Sequence, residues 1–201
     1  MNFNSAAVRK ILPLLALRPG EWFTLSNICT YADLDTKSVT RVLRQFRAEG
    51  FLGDHPAGLK AYGANTAYSM YPEIKVIALR LLDVPEAMRV AGARMDLVIV
   101  FGSLLRPTFG AESDIDLLLV TAQPEAARRG LDGVETQLGK HFSPQVMDPA
   151  RFSAALAADD PFIREILERP HAILTGSLER FGWTDGHLPS RPIRGASRTT
   201  C

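Results

Sequence analysis

LVIVFGSLLRPTFGAESDIDLLLV, running from Leu97 to Val120, carries two strands and the polar connection between them. Leu97 to Phe101 is a continuous apolar run rich in β-branched residues, which suits a strand buried on both faces. Gly102-Ser103 breaks the run and opens a short polar connection. Ser113-Asp114-Ile115-Asp116 then leads into Leu117-Leu118-Leu119-Val120, a second buried strand.

Asp114 and Asp116 stand two residues apart at the head of that second strand. Side chains of a strand alternate, so both carboxylates face the same way. Two steps at about 3.3 Å each set them roughly 6–7 Å apart along the strand. Two ionised carboxylates this close, flanked by apolar sequence, repel each other unless a cation lies between them. Mg²⁺ suits such a place, because it takes oxygen ligands and is usually held by one or two carboxylates plus substrate phosphates. Gly102 lets the backbone approach a ligand closely. The amides that follow it, with the Ser103 hydroxyl, are candidates for binding phosphate oxygens. The competing reading is a surface turn with two solvated aspartates.

The turn at a fixed distance upstream favours the first reading. Gly-Ser, a variable stretch, then Ser-Asp-x-Asp ahead of an apolar strand resembles the nucleotidyltransferase superfamily that includes DNA polymerase β. Gly102, Ser103, Ser113, Asp114 and Asp116 match that signature in type and spacing. The resemblance implies a mixed sheet flanked by helices. It also implies Mg²⁺ on the catalytic pair Asp114 and Asp116, and a nucleoside triphosphate on Gly102, Ser103 and Ser113. Two departures stand out. Pro107 replaces a common glycine and shortens or distorts any helix after Ser103, with Gly110 free to take over the turn. The third carboxylate of active members is expected on the strand His141 to Met147, where Ser143 or Gln145 falls in its place. Asp148, before Pro149, reads as the cap of the next helix.

Composition sets the frame. The 201 residues suit one domain or two small ones. An apolar share of 46% with 22% charged residues is ordinary for a globular protein, and no run reaches the length of a membrane span. The short apolar piece Ile11 to Leu17 leads into Arg18-Pro19-Gly20 and not into a small-residue cleavage site, so no signal peptide is expected. Two cysteines, Cys29 and Cys201, give neither a disulfide framework nor a thiolate metal site. His55, His141, His171 and His187 are scattered. A cytoplasmic protein without a membrane partner is the expectation. Charge is uneven: ten Lys/Arg against six Asp/Glu up to residue 80, then ten against fifteen up to residue 181. A basic part before an acidic part suggests a separate partner for each.

Residues 1–72 read as helix, strand, helix, helix, hairpin. Ser5 caps a helix with Val8, Ile11, Leu12 and Leu15 on its apolar face. Glu21 to Leu25 is extended, and Ser26 is the expected cap of a second helix. A third helix from Thr36 to Glu49 buries Val39, Val42, Leu43 and Phe46, with Gly50 just past its end. Asn65 to Met70 is the expected return strand of the hairpin. This order resembles a winged helix-turn-helix of bacterial regulators. The third helix carries Thr36, Lys37, Ser38, Thr40, Arg41, Arg44, Gln45 and Arg47, and the hairpin adds His55 and Lys60. Arg, Gln, Ser and Thr read base edges, and Lys and Arg bind phosphate, so double-stranded DNA is the expected partner. A solvated helix face that contacts protein is the alternative.

Residues 73–181 form the expected nucleotidyltransferase-like domain, with linking helices over 73–93. Pro72 suits a first helical turn, and Ile74, Val76, Ile77, Leu79, Leu81 and Leu82 make the following helix apolar nearly all round. Such a helix lies between the two halves or across a homodimer interface. Helices are expected from Pro85 to Ala93, Pro124 to Gly139, Pro149 to Ala158 and Phe162 to Glu168, with an edge strand at Ala172 to Leu174. Residues 182–201, rich in Pro, Gly, Ser, Thr and Arg, read as a disordered tail. The layout from about Ser5 to Leu178 resembles winged-helix regulators fused to a minimal nucleotidyltransferase. It implies a DNA-binding regulator whose second domain senses a nucleotide, a metal or a partner. The alternative is an active Mg²⁺-dependent transferase that modifies a protein or small-molecule hydroxyl.

Overall fold

The computed structural model describes residues 1–183; the tail expected at 182–201 lies, from residue 184 on, outside the described residues. Helix α1, Ala6–Ala16, buries Val8, Ile11, Leu12 and Leu15 as its spacing demands. Helix α2, Leu25–Ala32, starts on Thr24 and not on Ser26. The Thr24 hydroxyl accepts from the Asn27 amide, and the Asn27 side chain accepts from the Thr24 amide. A capping box needs a polar partner three residues on; Thr24 has Asn27, whereas Ser26 has Cys29. Helix α3, Thr36–Ala48, is capped by Asp35 and closes on Gly50 at φ +80°.

Of two isolated antiparallel bridges, Phe23 to Tyr62 ties the segment after α3 back to the chain before α2, and Leu52 to Ala64 folds that segment on itself. The return piece is therefore Tyr62 to Ala64, not Asn65 to Met70. Gly63 explains the displacement: a Cβ there would lie 2.7 Å from the Glu21 carbonyl oxygen. Asn65 turns the chain instead, its carbonyl and side chain accepting from the Tyr68 and Ala67 amides.

Helix α4 spans Tyr71–Leu81 and helix α5 spans Val84–Val90. The sheet follows: strand β1 at Leu97–Phe101, a single 3₁₀ turn at Gly102–Leu105, and strand β2 at Ile115–Val120. Helix α6, Pro124–Leu138, crosses to strand β3, Phe142–Met147. Helices α7, Pro149–Ala157, and α8, Pro161–Glu168, precede the edge strand β4, Ala172–Gly176. The four strands lie in the order β3-β2-β1-β4, with β2 and β3 parallel and the other pairs antiparallel. The result is a mixed sheet flanked by helices.

Alternation sorts the strand residues onto two faces. Val98, Val100, Leu117 and Leu119 join one large core that runs back through α6, α4 and α1 to Phe46. Leu97, Ile99, Leu118 and Val120 pack under Phe152 of α7 and Ile163, Ile166 and Leu167 of α8. Helix α4 packs one side against α1 and the turn after β1, leaving Val76, Ile77, Leu81 and Leu82 partly exposed. Its Tyr71 hydroxyl donates to the Ala16 carbonyl at 2.9 Å. The large core is continuous across residues 72 and 73. Among the described residues, no helix is long and apolar enough to cross a membrane.

Candidate metal and nucleotide site

Strand register assembles the site. Asp116 is the partner of Phe101 on β1 and of Ser143 on β3. The residue after Phe101 is Gly102, at φ +74°, a conformation that costs an L side chain about 1–2 kcal/mol. Space excludes a side chain there as well: an added Cβ would lie 2.9 Å from Asp116 Cγ and closer still to its carboxylate oxygen. The glycine thus lets the turn close directly over the carboxylate.

Ser103 continues the contact. Its backbone amide donates to the Asp116 carboxylate, and its hydroxyl reaches the Asp114 carbonyl at 3.4 Å. Asp114 is exposed, while Asp116 is half-buried. Burial pushes the Asp116 carboxyl above its ordinary value, the Asp114 charge adds to the rise, and the Ser103 amide opposes it. Ser113 closes the turn ahead of the pair. Its hydroxyl accepts from the Gly110 amide at 3.0 Å, and its own amide donates to the Gly110 carbonyl.

The structure therefore gathers Gly102, Ser103, Asp114 and Asp116 at one end of the sheet and sets Ser113 in the adjoining turn. Two neighbouring carboxyl side chains, one of them half-buried beside the other's charge, are the oxygen ligands a hard cation such as Mg²⁺ takes. The position across from Asp116 on β3 belongs to Ser143, and Gln145 faces Leu118. Asp148 caps α7 by accepting from the Ala150 amide at 2.8 Å. Among the described residues, no group of three or more His, Cys, Asp or Glu could hold a metal ion.

Two lysines that sequence reasoning passed over hold the loop between the turn and the aspartates. Lys75 of α4 is 0% exposed, and its ammonium donates to the Arg106 carbonyl at 2.8 Å. Lys140, just past α6, donates to the Gly110 and Ala111 carbonyls. Both ammoniums lie 5.0 Å from the centre of the Phe109 ring, one cation–π contact each. Burial lowers Lys75 to about 8. It also lowers Lys140, against the pull of Glu21, Asp114 and Glu112. The signal was faint: Lys75 sits four residues after Tyr71 and four before Leu79, on the buried stripe of α4.

The predicted DNA-binding residues of α3 divide into two groups. Lys37, Arg41 and Arg44 are exposed and line a shallow concavity with Thr36, Ser38 and Thr40. Ser38 donates its hydroxyl to Asp35, Gln45 donates to Glu49, and Arg47 pairs with Asp54 at 2.7 Å. Lys60 is exposed in the connection after α3.

A mixed four-stranded sheet flanked by helices, with Asp-x-Asp at the head of a central strand under a Gly-Ser turn, is consistent with a nucleotidyltransferase fold. Residues 93–170 match the family model of the nucleotidyltransferase domain, so the chain contains such a domain. No curated protein and no solved structure matches the chain.

Proposed function

We propose that this protein is a DNA-binding transcriptional regulator whose nucleotidyltransferase domain binds a divalent metal and a nucleoside triphosphate and transfers little. The observation that carries the reading is the pairing of Asp116 with Ser143. Two-metal transfer clamps both the attacking and the leaving oxygen, and a hydroxyl in place of the third carboxylate weakens that clamp. In this reading Asp114 and Asp116 hold Mg²⁺. Ser103 orients Asp116 through its amide, and Gly102 lets the turn close over that carboxylate.

The N-terminal part supplies the DNA contact as a winged helix-turn-helix. The exposed Lys37, Arg41 and Arg44 of α3 support this, since basic side chains on one helix displace counterions from phosphates. Regulators of this kind pair to read two half-sites, so a homodimer is part of the proposal. Helix α4 buries one side against α1, and its partly exposed Val76, Ile77, Leu81 and Leu82 are the proposed pairing surface.

The second reading is an active transferase acting on a protein or small-molecule hydroxyl. The retention of both Asp114 and Asp116 under the Gly-Ser turn favours it. Transfer from α-labelled nucleoside triphosphates decides between them. Labelling near background, with binding retained, supports the regulator. Efficient metal-dependent labelling that disappears in Asp114→Asn and Asp116→Asn supports the enzyme.

A further inference from the structure

Four large apolar side chains are exposed among the described residues: Leu59, Met70, Val90 and, least of the four, Phe162. Leu59 and Met70 fall between α3 and α4, and Val90 ends α5. Phe162 differs in position. It lies in the first turn of α8, which covers the sheet face that carries Asp116.

Its surroundings connect it to the carboxylates. The Phe162 ring meets the Phe101 ring edge to face, with centres 6.3 Å apart and planes at 83°. Phe101 stands directly opposite Asp116 across β1 and β2. Opposed residues of an antiparallel pair project to the same face, with Cβ atoms about 5 Å apart. The aromatic pair and the metal-binding carboxylate are thus neighbours on one face. Phe101 is the inner ring of that pair, and Phe162 is the outer ring, 38% exposed.

The N-terminus of α8 offers the ring and not its amides. Asp160 accepts from the Phe162 and Ile163 amides at 2.9 and 3.2 Å, so its carboxylate closes the site where a phosphate would otherwise dock. An exposed ring two residues past that cap offers a face and no polar atom. A flat apolar partner suits it, and base–aromatic stacking is tolerant of base identity because every base has a π-face.

We propose that Phe162, backed by Phe101, is the stacking platform for the nucleobase of the nucleotide whose phosphates lie at Asp114 and Asp116. The proposal rests on the nucleotide-binding reading above and adds where the base goes. The platform senses that a base is present and does not select which one.

The test uses the full chain with Mg²⁺ and two probes: ATP, and inorganic tripolyphosphate, which has the charge but no base. Phe162→Ala weakens ATP binding about tenfold or more and leaves tripolyphosphate binding unchanged. Phe162→Trp restores ATP affinity, and GTP behaves as ATP does. Equal losses for both probes, or no loss for ATP, overturn the platform. Equal affinity of the unaltered protein for ATP and tripolyphosphate overturns it too, while the metal and phosphate reading stands. Binding of neither probe by the unaltered protein overturns that reading, and the platform with it. If Phe162→Ala instead dissociates an oligomer in sedimentation without touching ATP affinity, the ring belongs to an interface between copies and the proposal falls.

Discussion

The ammonium of Lys75 and the carbonyl of Arg106 are joined at 2.8 Å, which ties helix α4 to the loop leading into Asp114. The bond crosses from the helix that follows the N-terminal part to the Gly-Ser turn of the sheet. Its energetics are unusual because the charge is out of water.

Stability against pH exposes that charge. Burial holds Lys75 at about 8, against an ordinary 10.5. Between those values the unfolded chain binds more protons than the folded one, so stability rises with pH across that window. Lys75→Met removes the rise. Denaturant unfolding from neutral to alkaline pH measures it, and an unchanged slope in the variant refutes the assignment.

Gly102→Ala destabilises the fold by about 1–2 kcal/mol from φ alone. Crowding against Asp116 adds to the loss. If Mg²⁺ and nucleotide bind at Asp116 as proposed, the variant also loses the melting shift they give, because the carboxylate must turn away. A folded variant with the full ligand-dependent shift contradicts this account.

Asp116 behaves with the opposite sign to an ordinary paired carboxylate. Its raised pKa means that the folded state holds the proton more tightly. Ligand-free stability therefore falls as pH rises from the ordinary carboxylate value through the raised one. Asp116→Asn is expected to be more stable than the unaltered protein at neutral pH without metal. Mg²⁺ has the converse dependence: its stabilising effect fades as pH falls through the raised value. At a hundred times the dissociation constant the ligand adds about 2.7 kcal/mol, and calorimetry across pH tests both signs.

DNA binding, if it uses α3, weakens steeply with salt through Lys37, Arg41 and Arg44. Arg41→Ala costs about 1–3 kcal/mol where it meets a base, and relaxes preference at one position. Full affinity and preference in an Arg41→Ala, Arg44→Ala protein rule out this face. Arg47 is a weaker test, since Asp54 already holds it.

Much of the fold was legible because it is local. The apolar run of β1, the Asp-x-Asp before β2, and the glycine after α3 each announce their element within a few residues. The shortness of the helix after Ser103 followed from Pro107, and Asp148 proved to be a cap. What failed depended on distant partners. The return piece at Tyr62 to Ala64 is fixed by Glu21 and Trp22 crowding Gly63, some forty residues away in sequence. Lys75 drew no notice in the sequence, because its partners Arg106 and Phe109 lie some thirty residues on. The position of Ser143 beside Asp116 was narrowed to two candidates by sequence, and register chose between them.

Strand β4 begins at Ala172, just beyond the matched span 93–170. It pairs along Leu97, Val98, Ile99 and Val100, and Gly176 brings its backbone so near that a Cβ there would sit 2.9 Å from Leu97 Cα. A fragment cut to the matched span would bare one side of Leu-Val-Ile-Val-Phe, a sticky ribbon open to pairing with other chains. It would also strand Arg106 without Lys75. The matched portion of this protein ends before its sheet does.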